Sequence, residues 1–288
     1  MYLTGNSETR GLLVFLVAAT LLWSTASGAA AAGDKKLLLW MDNSITGLVG
    51  GGFEIDDGDQ YTATFEHASG WSFGDLFMFV DYTRFKNKTG DDNTAWYGEI
   101  SPRLSIGKIL KKDLSFSIFG QNLVIWKDTL LAVTYERGRD PDLTESLLVG
   151  LGFDLDLKAL GIFGDKGFNY FQVNVYARNE LNCCAGDKPD RGFKDLQITV
   201  SASYPFEVGK AKFLLDGFFD YVAGWGPQAE NFHFVPQIKL DIGNFWGKPK
   251  ALYVGVEIDY WTNKFGLKGA PGFETDQFAV SGIVKVHF

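Results

Sequence analysis

Between residues 71 and 82 the chain reads WSFGDLFMFVDY, and four alternate positions in it are Asp75, Phe77, Phe79 and Asp81. A carboxylate accepts hydrogen bonds from hydroxyl and amino groups. An aromatic ring offers a face on which a flat base stacks, worth roughly 1–3 kcal/mol per base. Side chains that alternate along a strand share one surface, so these two chemistries are placed side by side. The same mixture recurs at alternate positions elsewhere: Tyr97, Glu99 and Arg103, then Tyr176 and Arg178, then Asp216 and Phe218. These eleven residues are the candidate binding set for a small, flat, hydroxylated solute. Further acids (Asp154, Asp156, Asp220, Asp241, Glu257, Asp259), one base (Lys239) and rings (Tyr170, Tyr253, Trp261) fall in the same phase. The surface they form is net acidic, which repels phosphorylated solutes.

Catalysis finds less support. The histidines are His67, His233 and His287, and no serine-containing motif stands near any of them to form a nucleophile–base unit. His67 falls at an expected short turn, in phase with the apolar face. The carboxylate pairs Asp154/Asp156 and Glu257/Asp259 could in principle exchange protons, but such pairs more often line a solvated surface. Gly50–Gly52 lies in a strand, and no phosphate-cradling or dinucleotide fingerprint is present. Cys183 and Cys184 are adjacent; two cysteines supply neither a disulfide framework nor a metal ligand set. The expectation is a protein that is not an enzyme and has no cofactor.

The elements that position these residues follow from the alternation. Opposite Asp75–Asp81 stand Leu76, Met78, Val80 and Tyr82; opposite Asp154 and Asp156 stand Leu147, Val149, Leu151, Phe153 and Leu155. Segments of about ten to thirteen alternating residues exceed the five or six of ordinary soluble strands and suit a tilted crossing of a bilayer. An apolar face outside and a polar face inside describes a transmembrane barrel, with aromatics such as Tyr82, Trp96, Tyr204, Tyr221 and Tyr260 near the strand ends. The formal net charge of −8 argues against a nucleic-acid-binding surface. Arg10 followed by GLLVFLVAATLL and AAAA (Ala29–Ala32) reads as a cleaved signal peptide over 1–32. Residues 33–288 are then an all-β domain, a transmembrane antiparallel β-barrel of about 12 strands. The first strand is expected near Ser44–Ile55, the second at Gln60–His67 and another near Asn122–Glu136. Outer loops are expected at KNKTGDDN (Lys86–Asn93), ERGRDPDLT (Glu136–Thr144), ELNCCAGDKPDR (Glu180–Arg191) and Thr262–Asp276. Short turns are expected at HASG (His67–Gly70) and GNFWGKPK (Gly243–Lys250). Gly107–Gln121 is either a long turn or an extra strand, and an even strand count prefers the turn.

Several stretches carry a resemblance. ISPRLSIGKILKKDLSF (Ile100–Phe116), LWMDNSITGLVG (Leu39–Gly50), GWSFGDLFMFVDY, KFGLKG (Lys264–Gly269) and the terminal strand Phe278–Phe288 together resemble the nucleoside-specific channel (Tsx-like) family of outer-membrane proteins. The resemblance implies a twelve-stranded monomeric barrel in the bacterial cell outer membrane. It also implies passive passage of nucleosides, outer loops that phages or colicins exploit, and Asp113–Phe116 in a periplasmic turn. The chain departs from the family pattern at Ser101, before Pro-Arg, and at Ser117-Ile118, after Asp-Leu-Ser-Phe. The last strand ends in Phe288, in phase with Val286, Val284 and Val280, which resembles the signal read by the barrel-assembly machinery. The partners expected are therefore nucleosides or similar small solutes, outer-membrane lipid and that machinery. The alternative is a structural or surface-receptor barrel whose lumen is closed by side chains, since aromatics also fill narrow barrels.

Overall fold

A computed structural model describes residues 36–288 except 56, 90–92, 119–123, 140–142, 158–166, 183–191, 225–227, 270 and 273. The strands are β1 (Leu38–Gly51), β2 (Asp59–Trp71), β3 (Gly74–Phe85), β4 (Thr94–Ser105), β5 (Phe116–Ile118), β6 (Val124–Arg139), β7 (Leu143–Asp156), β8 (Tyr170–Asn182), β9 (Asp195–Val208), β10 (Ala211–Val222), β11 (Asn231–Asp241), β12 (Leu252–Thr262) and β13 (Gln277–His287). The one α-helix among the described residues is α1 (Ile106–Leu110).

Each long strand pairs antiparallel with its sequence neighbours, and β1 pairs with β13. The sheet closes where β4 pairs with β6. The wall is therefore a closed barrel of twelve strands, with both ends of the strand series at the same rim. Closure satisfies every edge, which a bilayer requires because it offers no water to unpaired backbone groups. A tight approach is visible at Gly217 on β10, which has φ 140° and faces Pro236 on β11. A Cβ there would run into the Val235 carbonyl, so glycine is required.

The two faces separate by register. Arg103 on β4 reaches Asp154 on β7 and lies 3.5 Å from Asn174 on β8. Neither strand borders β4, so this face is the interior. The opposite face carries Ile45, Val49, Tyr82, Phe278 and Val284, which are 51, 60, 56, 62 and 51% exposed. Large aliphatic and aromatic groups left bare over a whole wall suit hydrocarbon rather than water. Aromatics gather at both rims of the wall. Tyr204, Phe206 and Phe213 stack at one, with centroid spacings of 6.3 and 5.1 Å. Phe219, Phe232 and Phe234 meet at the other.

Three expectations need correction. HASG is the interior of β2, which runs to Trp71, and the turn is Ser72–Phe73; His67 is therefore a strand residue. Its ring is held by Asn43 at 2.8 Å and Ser69 at 3.0 Å, so two side-chain hydrogen bonds keep a turn-like sequence in the ladder. Within ERGRDPDLT, Glu136–Arg139 and Leu143–Thr144 belong to β6 and β7; their charges are carried on the paired strands. The first strand begins at Leu38, before the expected Ser44, and ends at Gly51. The segment after β4 is a connection, as preferred, but it contains structure. α1 is capped by Ser105, whose Oγ accepts from the Lys108 N–H. β5 then pairs only with the first residues of β6, so it adds no wall strand. The expected signal peptide over 1–32 lies outside the described residues, as do Cys183 and Cys184.

Candidate functional site in the barrel lumen

All eleven candidate residues lie on the interior face by register. They do not form one cluster; the structure divides them between ion-paired clamps and an aromatic–acid wall.

Arg103 is the first clamp and is only 4% exposed. Its Nε donates to Asp75 Oδ1 at 2.8 Å and its Nη2 to Asp75 Oδ2 at 2.6 Å, while Nη1 meets Asp154 at 3.0 Å. Arginine suits this position because its planar fork engages one carboxylate with two parallel bonds and still has a donor for another. Arg178 on β8 is the second clamp. It donates to both Glu136 oxygens at 2.9 and 2.7 Å, to Gln197 Oε1 at 2.7 Å and to Ser146 Oγ at 2.9 Å. Tyr176 stands between the two clamps. Its hydroxyl lies 3.2 Å from Thr134 Oγ1, and its ring packs in a buried cluster with Ala132 and Leu148. Asp216 belongs to a third ion pair, with Lys239 at 2.6 Å.

The remaining candidates form the wall. Phe77 and Phe79 are 6.0 Å apart between centroids, and Phe79 and Tyr97 are 5.9 Å apart. The three rings thus make a ladder across β3 and β4. Phe77 is 40% exposed, so its face is open. Beside the ladder Asp81 accepts from Thr64 Oγ1 at 2.5 Å, and Glu99 accepts from Tyr97 Oη at 2.8 Å. Each hydroxyl occupies only part of a carboxylate's acceptor capacity. Phe218 lies across β10 and packs edge-on against His233 at 5.2 Å.

Two features escaped the reading of the sequence. His233 stacks on Trp261 at 3.7 Å and approaches Asp259 at 3.3 Å, extending the aromatic lining towards Phe265. The signal was present, since both fall in the polar phase, but a lone histidine carries no distinguishing pattern. The other is Glu66, which takes Lys285 at 2.5 Å and the hydroxyls of Ser44 and Thr46. Glu66 fell inside the expected strand Gln60–His67, but a lone carboxylate there did not show that it would meet the last strand at the β1–β13 seam. Above the strands, Asp57 accepts from the Asn87 backbone N–H and from Asn87 Nδ2 at 2.9 Å. Those hydrogen bonds hold its carboxyl below the usual range.

An interior of this kind, in a closed barrel with a bare apolar wall, is the architecture of a pore protein. The profile of the family described as nucleoside-specific channel-forming protein, Tsx, matches residues 38–288. The chain belongs to this family. It is a β-barrel of the bacterial outer membrane and a channel for small solutes. No curated protein matches the chain. Among solved structures it is similar to a KdgM porin (TM-score 0.44, 11% identity, covering 85% of this chain and 99% of that one). It is also similar to a KdgM porin in complex with disordered oligogalacturonate (TM-score 0.43, 9% identity, 86% and 99%). A further similar structure is the outer membrane protein Omp33 of Acinetobacter baumannii (TM-score 0.34, 9% identity, 88% and 100%). The family assignment rests on the profile match across the barrel. Tertiary structure brings Asp75 to Arg103 and Phe77 to Phe79 and Tyr97. It keeps Asp216 and Phe218 apart in role, one in an ion pair and one in an aromatic contact.

Proposed function

We propose that the channel passes nucleosides or similar flat, hydroxylated solutes selectively and passively, using the aromatic and acidic wall of its lumen. The observation that carries this reading is the Phe77–Phe79–Tyr97 ladder beside Asp81 and Glu99. Rings provide stacking that any base satisfies, and carboxylates with free acceptor capacity take ribose hydroxyls and base amino groups. Arg103, Arg178, Tyr176 and Asp216 act in this reading as the frame that sets lumen width, and Phe218 as a facing ring. Phosphorylated solutes are excluded by the surplus of carboxylates. The reading includes a monomeric barrel, removal of residues 1–32 on export, assembly through Phe288 and phage or colicin docking at the outer loops.

The test is swelling of liposomes carrying the purified protein. Nucleoside should enter faster than a sugar of equal size, and the Phe77→Ala/Phe79→Ala double variant should lose that difference while remaining folded. Equal rates for the two solutes in the wild type would sink the proposal. A second reading, a surface-receptor barrel with a closed lumen, is favoured by the Arg103 and Arg178 clamps, which bridge strands across the interior. It predicts no uptake of either solute.

A further inference from the structure

The two rims of the barrel differ in charge. One rim carries both ends of the strand series and the two-residue turns Ser72–Phe73 and Gly209–Lys210, and short connections mark the periplasmic side. In sequence, the connections between strands at this rim hold eight lysines and two aspartates, whereas those at the other rim hold twelve acids and seven bases. Acids near the strand ends at the periplasmic rim, such as Asp128, Asp156, Glu207 and Asp241, fall in the interior phase. They do not offset the lysines on the outside.

Two of these connections combine lysine with bare apolar groups. In α1, Ile109 and Leu110 are more than half exposed and share one helix face with Ile106 at spacings of three and four. Lys108, on the far side of that helix, and Lys111 and Lys112 just beyond it are exposed. Phe116 follows, stacked on Trp126, and Trp126 meets Phe153 of the outward wall at 4.4 Å. The segment is therefore continuous with the lipid-facing surface. Between β11 and β12, Phe245 and Trp246 are more than half exposed and precede exposed Lys248 and Lys250. The two connections lie on opposite sides of the ring, with four strands between them in either direction.

The acids beside these lysines are engaged by backbone. Asp113 accepts from the Ser115 N–H at 2.8 Å, and Asp241 from the N–H groups of Asn244 and Lys250, each at 2.9 Å. Among the described residues none of the five lysines joins an ion pair. Lys111 and Lys250 have left-handed φ values of 53° and 69°. Glycine adopts that conformation without steric cost, so a lysine at both places supplies charge at the expense of backbone ease.

We propose that the periplasmic rim binds anionic phospholipid of the inner leaflet at these two stations. The apolar groups enter the acyl boundary, and the lysines take headgroup phosphates, as in interfacial amphipathic segments. Lysine suits a mobile headgroup because its ammonium is a point charge with three donors on a flexible stem. Two stations on opposite sides of the ring hold the rim level with the headgroups.

The probe is dioleoyl-phosphatidylglycerol added to the purified protein in mild detergent. Dioleoyl-phosphatidylcholine, with the same chains and no net charge, is the control, and native mass spectrometry reads binding. The wild type should bind phosphatidylglycerol about tenfold tighter than the control, and that affinity should fall as salt is raised. Lys111→Gly/Lys250→Gly keeps the backbone hydrogen bonds of both turns. It should lose about tenfold of the phosphatidylglycerol affinity and none of the phosphatidylcholine affinity. Lys86→Gln/Lys268→Gln, which takes the same charge from the other rim, should bind as the wild type does. Heat-modified migration in SDS confirms that each variant is folded. Equal affinity for the two lipids, salt-independent binding, an unchanged Lys111/Lys250 variant or an equal loss in the Lys86/Lys268 variant would overturn the proposal. So would displacement of the lipid by glycerol phosphate at equal concentration, which would make the rim a site for free anions.

Discussion

Replacing Arg103 by alanine removes a guanidinium whose side chain is 5% exposed, while leaving Asp75 and Asp154, which keep 25 and 30% of their side-chain surface. Breaking a buried ion pair by deleting one partner costs about 3–5 kcal/mol, because the remaining charge is left uncompensated. Partial exposure lets water solvate the two carboxylates, so the loss here comes to roughly 2–4 kcal/mol. Asp154→Asn is the internal control, since the two-bond fork between Arg103 and Asp75 survives it; its loss should be about 1 kcal/mol. The triple variant Arg103→Met/Asp75→Asn/Asp154→Asn replaces the charges together and should recover to within about 1 kcal/mol of wild type. Equilibrium unfolding by urea in lipid vesicles, followed by tryptophan fluorescence, measures all three. The reasoning is refuted if Arg103→Ala costs less than about 1 kcal/mol, or if the triple variant is no more stable than the single one. In the first case Asp75 and Asp154 do not depend on Arg103 for compensation.

Other outcomes follow from the same geometry. Glu136→Gln removes the carboxylate that takes two bonds from Arg178 and should lower the urea midpoint, though less than Arg178→Ala, which strands Glu136 beside Glu180. In liposome swelling, Asp81→Asn/Glu99→Gln should lower nucleoside entry relative to a sugar of equal size, since it replaces two carboxyl groups beside the ring ladder; an unchanged ratio would place the solute path elsewhere. Asp57, whose folded pKa is depressed by Asn87, should support the contact between its loop and the β3 end above the ordinary carboxylate range. The contact should be lost as pH falls through that lowered value. Protease cleavage of the loop, compared on the two sides of that window, reads this, and Asp57→Asn should abolish the pH dependence. Phe116→Ala removes the ring stacked 5.2 Å from Trp126 and should change the Trp126 environment, seen as a shifted emission in a Trp126-only variant, without altering solute uptake.

The architecture was legible because one physical rule governs every wall strand. Lipid outside and polar side chains inside make the period-2 pattern strict, so the phase of Asp75–Asp81 or Leu147–Leu155 identifies a face without any contact being known. Where that rule is silent the reading failed. HASG carries turn-forming residues, yet it pairs with β1 and β3 along its whole length, and the Asn43–His67–Ser69 hydrogen bonds support it there. The charges of Glu136–Arg139 suggested a loop, yet Glu136 faces inward to Arg178 while Arg137 faces outward, both compatible with a strand.

Composition and alternation thus determined on their own that this chain makes a barrel, and which side chains share its interior, because local phase needs no knowledge of partners. Which acid meets which base was decided only by closure. Asp154 lies 51 residues from Arg103 in the chain and two strands away in the wall, and Lys285 meets Glu66 across the seam joining the last strand to the first two. Such pairings depend on strand tilt, register and side-chain reach across the lumen, and none of these leaves a periodic trace along the chain.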